Sequence, residues 1–263
     1  MNINFISKFY TFFKLLISGN VSKFRTRLIY NILNISDINR IKKILTPISR
    51  DLYNKKQTDY RLIVYKNFDY KNSFFREIFK KHGSDKGGEN RSQNNKIIHF
   101  YAEFYEETLR NLKVNNLLEF GVGQFTNELP GASLRAWNEI YPDAKIYGTD
   151  NRRELLFKEK NIETFYVDQF DKSELLKLKE KFHDINFEVI VDDGSHIFDA
   201  NILSFEVLFS KLADNGFYFI EDVKYKDLKK YYKYFDKKFN FKIVECFNVN
   251  INYAQMIVAI KKN

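Results

Sequence analysis

The sequence contains very little cysteine. Among its 263 residues there is one, Cys246, so an intramolecular disulfide is excluded and a reducing, cytoplasmic location is expected. A single thiol in a late apolar segment is more often a small core residue than a nucleophile. Stability must then come from a hydrophobic core, which the 44% hydrophobic content can supply.

Long uncharged runs are also lacking. None reaches about 18 residues, so no transmembrane helix is predicted. The apolar stretch Phe5–Ile17 is interrupted by Lys8 and Lys14, and no signal-peptide cleavage site follows it. Two interpretations stay open for this stretch: a helix that packs on the main domain or in a dimer interface, and an amphipathic helix in peripheral contact with a membrane.

The charge is unbalanced towards the basic side. The formal net charge is +9 and the isoelectric point is near 9.2. A basic protein suits a polyanionic partner, which can be a nucleic acid, an acidic membrane surface or a phosphorylated small molecule. Charge alone does not choose among these three.

The chain divides by pattern into two parts. Residues 1–70 are basic, with apolar residues at helical spacing, and are interpreted as an N-terminal helical extension. In residues 71–263, short apolar runs alternate with helical patterns, which predicts an α/β domain with a mostly parallel sheet and helices on both faces. The last two of seven predicted strands are close enough in sequence to pair antiparallel. The strands are Val114–Phe120, Lys145–Asp150, Glu163–Val167, Val189–Asp192, Phe217–Asp222, Lys242–Phe247 and Gln255–Ile260.

Helices are predicted between these strands. One begins near Pro130 and continues through Trp137, and the next begins at Asp171, where Asp171 and Glu174 resemble a capping box. The others are Asp199–Leu212, closed by Asn215–Gly216, and Tyr225–Lys237. Ahead of the first strand, a glycine-rich loop, Lys81–Gly88, offers backbone N–H groups to a ligand, and a helix opens at His99–Tyr105.

Polar residues collect where two of the predicted strands end. The buried run Val189–Val191 leads into Asp192-Asp193-Gly194-Ser195-His196, and Phe217–Ile220 leads into Glu221-Asp222. In open α/β sheets, ligands bind beyond the carboxyl ends of the strands. We therefore expect four carboxylates and one imidazole to lie close together at this edge.

A second group of residues suggests a cofactor site. The turn Glu119–Gly123 contains Gly-x-Gly but lacks the third glycine of a dinucleotide fingerprint, so a nicotinamide cofactor is disfavoured. With Asp150 and Asp168 at the ends of the next two strands, the pattern resembles the class I S-adenosylmethionine-dependent methyltransferases. That resemblance implies that Gly121 and Gly123 pass beneath the cofactor, that Asp150 binds its ribose hydroxyls and that Asp168 meets its adenine.

A narrower set of motifs is similar to the metal-dependent sugar O-methyltransferases of the mycinamicin type. The motifs are Gly83–Gly87, His99–Tyr105, Leu118–Gly123, Pro130–Trp137, Asp168-Gln169, Asp192–His196 and Ile220–Val223. The resemblance implies a Rossmann-like sheet of seven strands, with S-adenosylmethionine and Mg²⁺ as cofactors. It places five further residues at S-adenosylmethionine: Ser84, Lys86, Glu119, Gln169 and Asp192. It also assigns the metal to Asp193, Glu221 and Asp222, and catalysis to His196 as the general base together with Asp193.

These observations predict an O-methyltransferase that acts on a sugar hydroxyl. A sugar hydroxyl is weakly acidic, so a divalent cation that lowers its pKa would assist a histidine base. The chain also resembles the sugar-nucleotide methyltransferases of bacterial capsule synthesis, including those that methylate a heptose hydroxyl. That resemblance implies a nucleotide-linked acceptor, such as a heptose of capsular polysaccharide synthesis, and the basic charge suits its diphosphate. A homo-oligomer is expected, and no nucleic acid partner.

Two alternatives stay open. The charge also suits a nucleic-acid methyltransferase, although the polar-Pro-Pro-aromatic motif of the amino-methylating enzymes is missing after the fourth strand. A basic, non-catalytic binding or membrane-peripheral protein would need no acids at the strand ends, and here every one of those strand ends carries an acid.

Overall fold

The computed structural model describes residues 62–66, 73–87, 99, 101–123, 129–248 and 253–263. Residues 60–263 form one compact unit. The stretch Phe5–Ile17, and with it both interpretations of that stretch, lies outside the described residues. None of the helices in the described ranges combines the length and apolar character needed to cross a bilayer.

A single twisted sheet organises the described part of the chain. It has eight strands: β1 (Leu62–Lys66), β2 (Asn116–Phe120), β3 (Lys145–Asp150), β4 (Ile162–Tyr166), β5 (Phe187–Asp192), β6 (Leu212–Ile220), β7 (Asn240–Asn248) and β8 (Tyr253–Lys261). Their spatial order is β1-β7-β8-β6-β5-β2-β3-β4. Only β8 runs antiparallel to its neighbours among these strands. The predicted Rossmann-like, mostly parallel sheet with an antiparallel last strand is confirmed.

The structure adds an edge strand that the sequence interpretation placed in the helical extension. Leu62–Lys66 forms β1 and pairs in parallel with β7, so the helical prediction is wrong for these five residues. The run Leu-Ile-Val-Tyr is rich in β-branched and aromatic residues, which favour a strand when a partner edge is present. The domain boundary at residue 70 stays a prediction.

Helices cover both faces of the sheet, as predicted. They are α1 (Phe74–Lys81), α2 (Ala102–Leu109), α3 (Ala132–Ile140), α4 (Lys172–Lys181), α5 (Phe198–Leu208) and α6 (Leu228–Phe235). The first three pack on one face with Leu117 and Val189, and the last three pack on the other with Leu118 and Ile190. Neighbouring residues of one strand therefore supply two separate cores, because side chains alternate across a sheet.

The connection between α5 and β6 differs from the prediction. Helix α5 ends at Leu208, a short 3₁₀ turn covers Phe209–Lys211, and β6 begins at Leu212. Asn215 and Gly216 were predicted to close the helix. Instead they lie within the strand, where Asn215 adopts a left-handed φ of 63° and the register with β5 is irregular. An Asn-Gly pair marks a backbone irregularity in either context, and the sequence does not say which.

Candidate active site

The carboxyl ends of β2, β3, β4, β5 and β6 surround a cavity of about 260 Å³. The parallel register brings these ends together, since β2 lies between β3 and β5 and β6 lies beside β5. Among the described residues, the lining divides into two parts. Gly121, Gly123, Asp150, Asp168 and Gln169 lie on one side, and Asp193, His196 and Asp222 lie on the other, with Asp85 and His99.

The turn after β2 is shaped by Gly121. This residue has a φ of 87°, and a methyl group on its Cα would lie 2.2 Å from the carbonyl oxygen of Asp193. Only glycine fits both the left-handed backbone and the close approach. The turn therefore lies tight against the Asp193–Gly194 backbone.

The acids that follow β3 and β4 are held by backbone groups. Asp150 accepts a hydrogen bond from the Val122 amide at 3.1 Å and another from the Arg152 amide at 2.9 Å. Asp168 accepts one from the Phe170 amide at 2.9 Å. Both carboxylates are thus oriented before any ligand binds, and both line the cavity. Carboxylates can accept the hydrogens of ribose hydroxyls or of an amino group.

Gln169 joins the two halves of the cavity. Its carboxamide nitrogen donates to Asp192 Oδ1 at 2.8 Å and to Ser204 Oγ at 3.1 Å, and its oxygen accepts the Ser195 amide at 2.8 Å. Asp192 is fully buried and is absent from the cavity lining. Burial raises the pKa of Asp192 despite the hydrogen bond from Gln169. Asp192 therefore supports the turn that carries Ser195 and His196.

Lys86 lies beneath the cavity floor in a cluster of acids. Its side chain is 1% exposed, and Nζ lies 2.6 Å from Asp193 Oδ2, 2.7 Å from Glu221 Oε2 and 3.5 Å from Glu119 Oε1. Glu119 also accepts hydrogen bonds from Ser133 Oγ and the Trp137 indole. One buried ammonium thus faces three carboxylates from three strand ends.

Two acids of this cluster, Asp193 and Glu221, have pKa values shifted in opposite directions. For Asp193, burial favours the neutral form, but Lys86 and His196 outweigh it and hold the pKa below its ordinary value. For Glu221, burial together with the Asp193 charge holds the pKa well above the ordinary value, against the influence of Lys86. Asp193 is therefore the ionised member that faces the cavity.

Asp193, His196 and Asp222 converge on the side of the cavity opposite Asp150 and Asp168. One ligand atom from each lies within 4.8 Å of the other two, and His196 Nε2 lies 3.8 Å from Asp222 Oδ2. Both His196 and Asp222 have left-handed φ angles, 53° and 51°; such strain in non-glycine residues is common at functional sites. Two carboxylates that face a cavity suit Mg²⁺, which prefers oxygen ligands. The donor set therefore fits the metal that the sequence resemblance implies.

Glu221 is not part of that convergent group. Its two oxygens accept hydrogen bonds from Lys86 and from the Tyr105 hydroxyl, and the side chain is fully buried. Its role as a metal ligand stays a prediction. Ser84, Lys86, Glu119 and Asp192 are likewise outside the described lining of the cavity, so their direct contact with a cofactor also stays a prediction.

Sequence reasoning missed four residues of the site. His99 is 5% exposed and lies between Asp85 and Asp222, with its ring nitrogens 3.5 and 3.4 Å from their carboxylates. The hydroxyls of Tyr101 and Tyr105 donate to Asp222 and Glu221, and burial raises the pKa of both phenols. Asp85 and His99 lie in motifs that the sequence interpretation included, but only three-dimensional proximity gives them a place.

Known proteins resemble part of this chain. No family model matches the sequence. A rhamnosyl tetracenomycin-C 2'-O-methyltransferase of Streptomyces olivaceus is 31% identical over 147 residues, 55% of this chain and 36% of that protein. The mycinamicin VI 2''-O-methyltransferase of Micromonospora griseorubida is 33% identical over 130 residues, 48% of this chain and 32% of that protein. Over about half of its length, the chain is similar to sugar O-methyltransferases.

A solved structure of a similar methyltransferase also matches only part of this chain. It is a methyltransferase of mycinamicin biosynthesis in complex with Mg and S-adenosylhomocysteine, 30% identical, with a TM-score of 0.47 over 56% of this chain and 39% of that chain. The chain thus spans about a third of the length of the curated relatives that it matches. The resemblance to sugar O-methyltransferases predicted from the motifs is confirmed.

Proposed function

We propose that the protein transfers a methyl group from S-adenosylmethionine to a sugar hydroxyl. The observation that carries this proposal is one cavity with two differently equipped sides. Asp150 and Asp168 suit a nucleoside, while Asp193, His196 and Asp222 suit a polyol with a metal ion. The sugar O-methyltransferases related to this chain act, by their names, on sugars attached to small molecules.

The acceptor is proposed to be a nucleotide-linked or otherwise phosphorylated sugar. The net charge of +9 supports an acidic substrate. A heptose destined for capsular polysaccharide is the specific acceptor expected from the sequence, and it is included in the test below.

His196 is proposed as the general base. Its ring lines the cavity, and Nδ1 is buried without a hydrogen-bond partner among the residues that the structure describes. In the reaction the acceptor O–H bond breaks and its proton passes to the imidazole. The oxygen forms a bond with the methyl carbon as the sulfur–methyl bond breaks, which releases S-adenosylhomocysteine. In-line alignment of these atoms is the main task of the cavity walls.

Asp193 and Asp222 are proposed to hold the divalent ion. When bound, the ion would lower the pKa of the sugar hydroxyl and orient the sugar. The Tyr101 hydroxyl fixes Asp222 with a 2.6 Å hydrogen bond, and Lys86 fixes Asp193. Because Mg²⁺ prefers oxygen to nitrogen ligands, the neighbouring imidazole stays available to accept a proton.

The test is a methylation assay on a panel of acceptors read by mass spectrometry. The panel contains nucleotide-linked hexoses and heptoses, glycosylated small molecules and RNA, each incubated with S-adenosylmethionine. A gain of one methyl group on a sugar is expected, with loss of product when a chelator removes the divalent ion. Methylation of RNA alone, or of no acceptor, would contradict the proposal, and full activity in chelator would remove the metal from it.

Two histidine variants distinguish the loss of the proposed general base from a general loss of folded protein. His196→Ala is expected to lower turnover at least about a hundredfold, the usual contribution of a general base, while binding of S-adenosylmethionine measured by calorimetry persists. His183→Ala is the control, because His183 is 66% exposed and lies after α4. An active His196→Ala would leave the base unassigned.

A further inference from the structure

Lys86 links three strand ends at the floor of the cavity. Its ammonium contacts Asp193 after β5, Glu221 after β6 and Glu119 in β2. An ammonium has three donor hydrogens and accepts none, so each of these carboxylates can take one of them. Removal of one partner from such a buried cluster leaves uncompensated charge.

The backbone around Lys86 is fixed by two helices. The Arg76 guanidinium, on α1, donates to the Gly87 carbonyl at 2.9 Å and pairs with Glu103 on α2. The Lys86 carbonyl accepts the Ala102 amide at 3.2 Å. The backbone at Lys86 and Gly87 is therefore hydrogen-bonded to residues of α1 and α2.

Asp193 has two tasks that compete electrostatically. Its Oδ2 atom lies 2.6 Å from the lysine ammonium, and the same carboxylate is one of the three groups that converge at the cation site. A divalent ion at this site would share Asp193 with a positive charge already in contact with it. The Lys86 ammonium is buried while Asp193 is 23% exposed, so the two cations would repel each other across a partly buried carboxylate, where solvent screens their charges less than in bulk water.

We propose that Lys86 is a positioning residue that holds Asp193 in place and keeps the affinity of the free protein for a divalent cation low. This inference rests on the cation site of the proposed function and adds a regulating residue to it. It also gives Lys86 a different role from the cofactor contact predicted from the sequence. With Asp193 partly neutralised, tight binding of the ion requires additional oxygen ligands, which the hydroxyls of a bound sugar can supply.

The test measures Mn²⁺ binding to the intact protein by electron paramagnetic resonance, with neither cofactor nor acceptor present. Lys86→Met is expected to bind Mn²⁺ about tenfold tighter or more than the unmodified protein, because a positive charge next to Asp193 is lost. Lys177→Met is the matched control, since Lys177 is 71% exposed and pairs with Glu174 on the surface of α4. Structural damage to the site would weaken binding, so tighter binding is a specific result.

A second pair of variants keeps the test informative if Lys86→Met alone does not fold. In Lys86→Met the buried Glu221 carboxylate loses its cationic partner, which can destabilise the protein. Glu221→Gln replaces that carboxylate with a neutral amide. The double variant Lys86→Met/Glu221→Gln is therefore compared with Glu221→Gln alone, after circular dichroism shows that both are folded. Tighter Mn²⁺ binding in the double variant supports the inference. Equal or weaker binding on loss of Lys86 in a folded background, or no Mn²⁺ binding in any variant, overturns it.

The outcome is independent of methyl transfer. A protein that binds Mn²⁺ tighter without Lys86 but methylates no sugar would contradict the proposed function and leave the role of Lys86 intact. If the protein methylates a sugar but Lys86→Met leaves the Mn²⁺ affinity unchanged, the proposed function is supported and the role of Lys86 is contradicted.

Discussion

Gln169 is the residue at which the two sides of the cavity meet. Its amide nitrogen must donate to Asp192, and its oxygen must accept the Ser195 amide. A methyl group on Gly194 would lie 2.1 Å from that oxygen, so the Gly194–Ser195 turn packs directly on the carboxamide. An amide satisfies both directions because it carries a donor and an acceptor.

Gln169→Glu is expected to destabilise the protein by about 2 to 4 kcal/mol, because a second carboxylate would face the buried Asp192. Urea unfolding at pH 7 measures the change. The loss should shrink as the pH falls, because the introduced carboxyl group, once protonated, can again donate to Asp192. Asn186→Asp, an exposed amide-to-acid change, is the control. Equal stability of Gln169→Glu and the unmodified protein would contradict this account of the bridge.

Helix α4 shows how a local sequence signal becomes a structural element. Asp171 was predicted to cap it, and its side chain accepts the Ser173 amide at 2.8 Å. The cap satisfies a backbone donor that has no partner within the helix. Hydrogen bonds from Ser173 lower the pKa of Asp171 below its ordinary value.

A lowered pKa in the folded state fixes the sign of the pH dependence. The cap contributes stability above the ordinary Asp pKa, and the contribution is lost as the pH falls through the lower, folded-state value. Asp171→Ala should therefore lower the melting temperature at pH 7, and the gap to the unmodified protein should narrow as the pH approaches the acid end. Thermal unfolding followed by circular dichroism measures both, with the exposed Asp143→Ala as control. A gap that widens in acid would contradict the cap.

Most strands and helices follow from local pattern, and the exceptions have a common cause. Predicted Lys145–Asp150 matches β3 in full, and the other core strands differ by a few residues at their ends, where pairing decides the boundary. Leu62–Lys66 and Asn215–Gly216 were misassigned because a four-residue apolar run and an Asn-Gly pair each suit more than one structure. The structure of each segment is determined by its pairing with a neighbouring strand, which the local sequence does not reveal.

The site was predictable to the extent that strand ends determine it. Acids at the ends of parallel strands meet because the sheet register aligns those ends, which brings Asp193 beside Asp222. From the segments that precede β2, Lys86 donates to Asp193, Tyr101 donates to Asp222 and Tyr105 donates to Glu221. Nothing in the periodicity of those segments indicates which side chains point to the sheet end, so their partners could not be inferred.

At the scale of the whole molecule, two hydrophobic cores and one ligand cavity share a single sheet. Side chains of β5 alternate between the cores, with Val189 and Val191 on one face and Ile190 on the other. The cavity lies at the ends of the same strands, so a ligand in it would contact several strand ends at once. Binding to the folded state alone must raise the stability of the whole unit.

S-adenosylhomocysteine at about a hundred times its dissociation constant is expected to stabilise the fold by about 2.7 kcal/mol. The melting temperature measured by scanning calorimetry should rise accordingly. Asp150→Ala should abolish most of this ligand-induced rise, whatever its effect on the ligand-free protein, whereas Asp214→Ala, at an 82% exposed position, should preserve it. An unchanged rise in Asp150→Ala would remove Asp150 from the cofactor site.

The position of Lys86 in the chain has a consequence for folding. Its contacts with Asp193 and Glu221 span 107 and 135 residues, so they close some of the longest loops in the described part of the chain, whereas β2 and β3 pair after one short crossover. Long closures are entropically unfavourable and tend to form late. During folding, the acids at the strand ends would therefore meet before their buried counter-ion arrives. The docking of α1 and α2 becomes the step that completes the cavity floor.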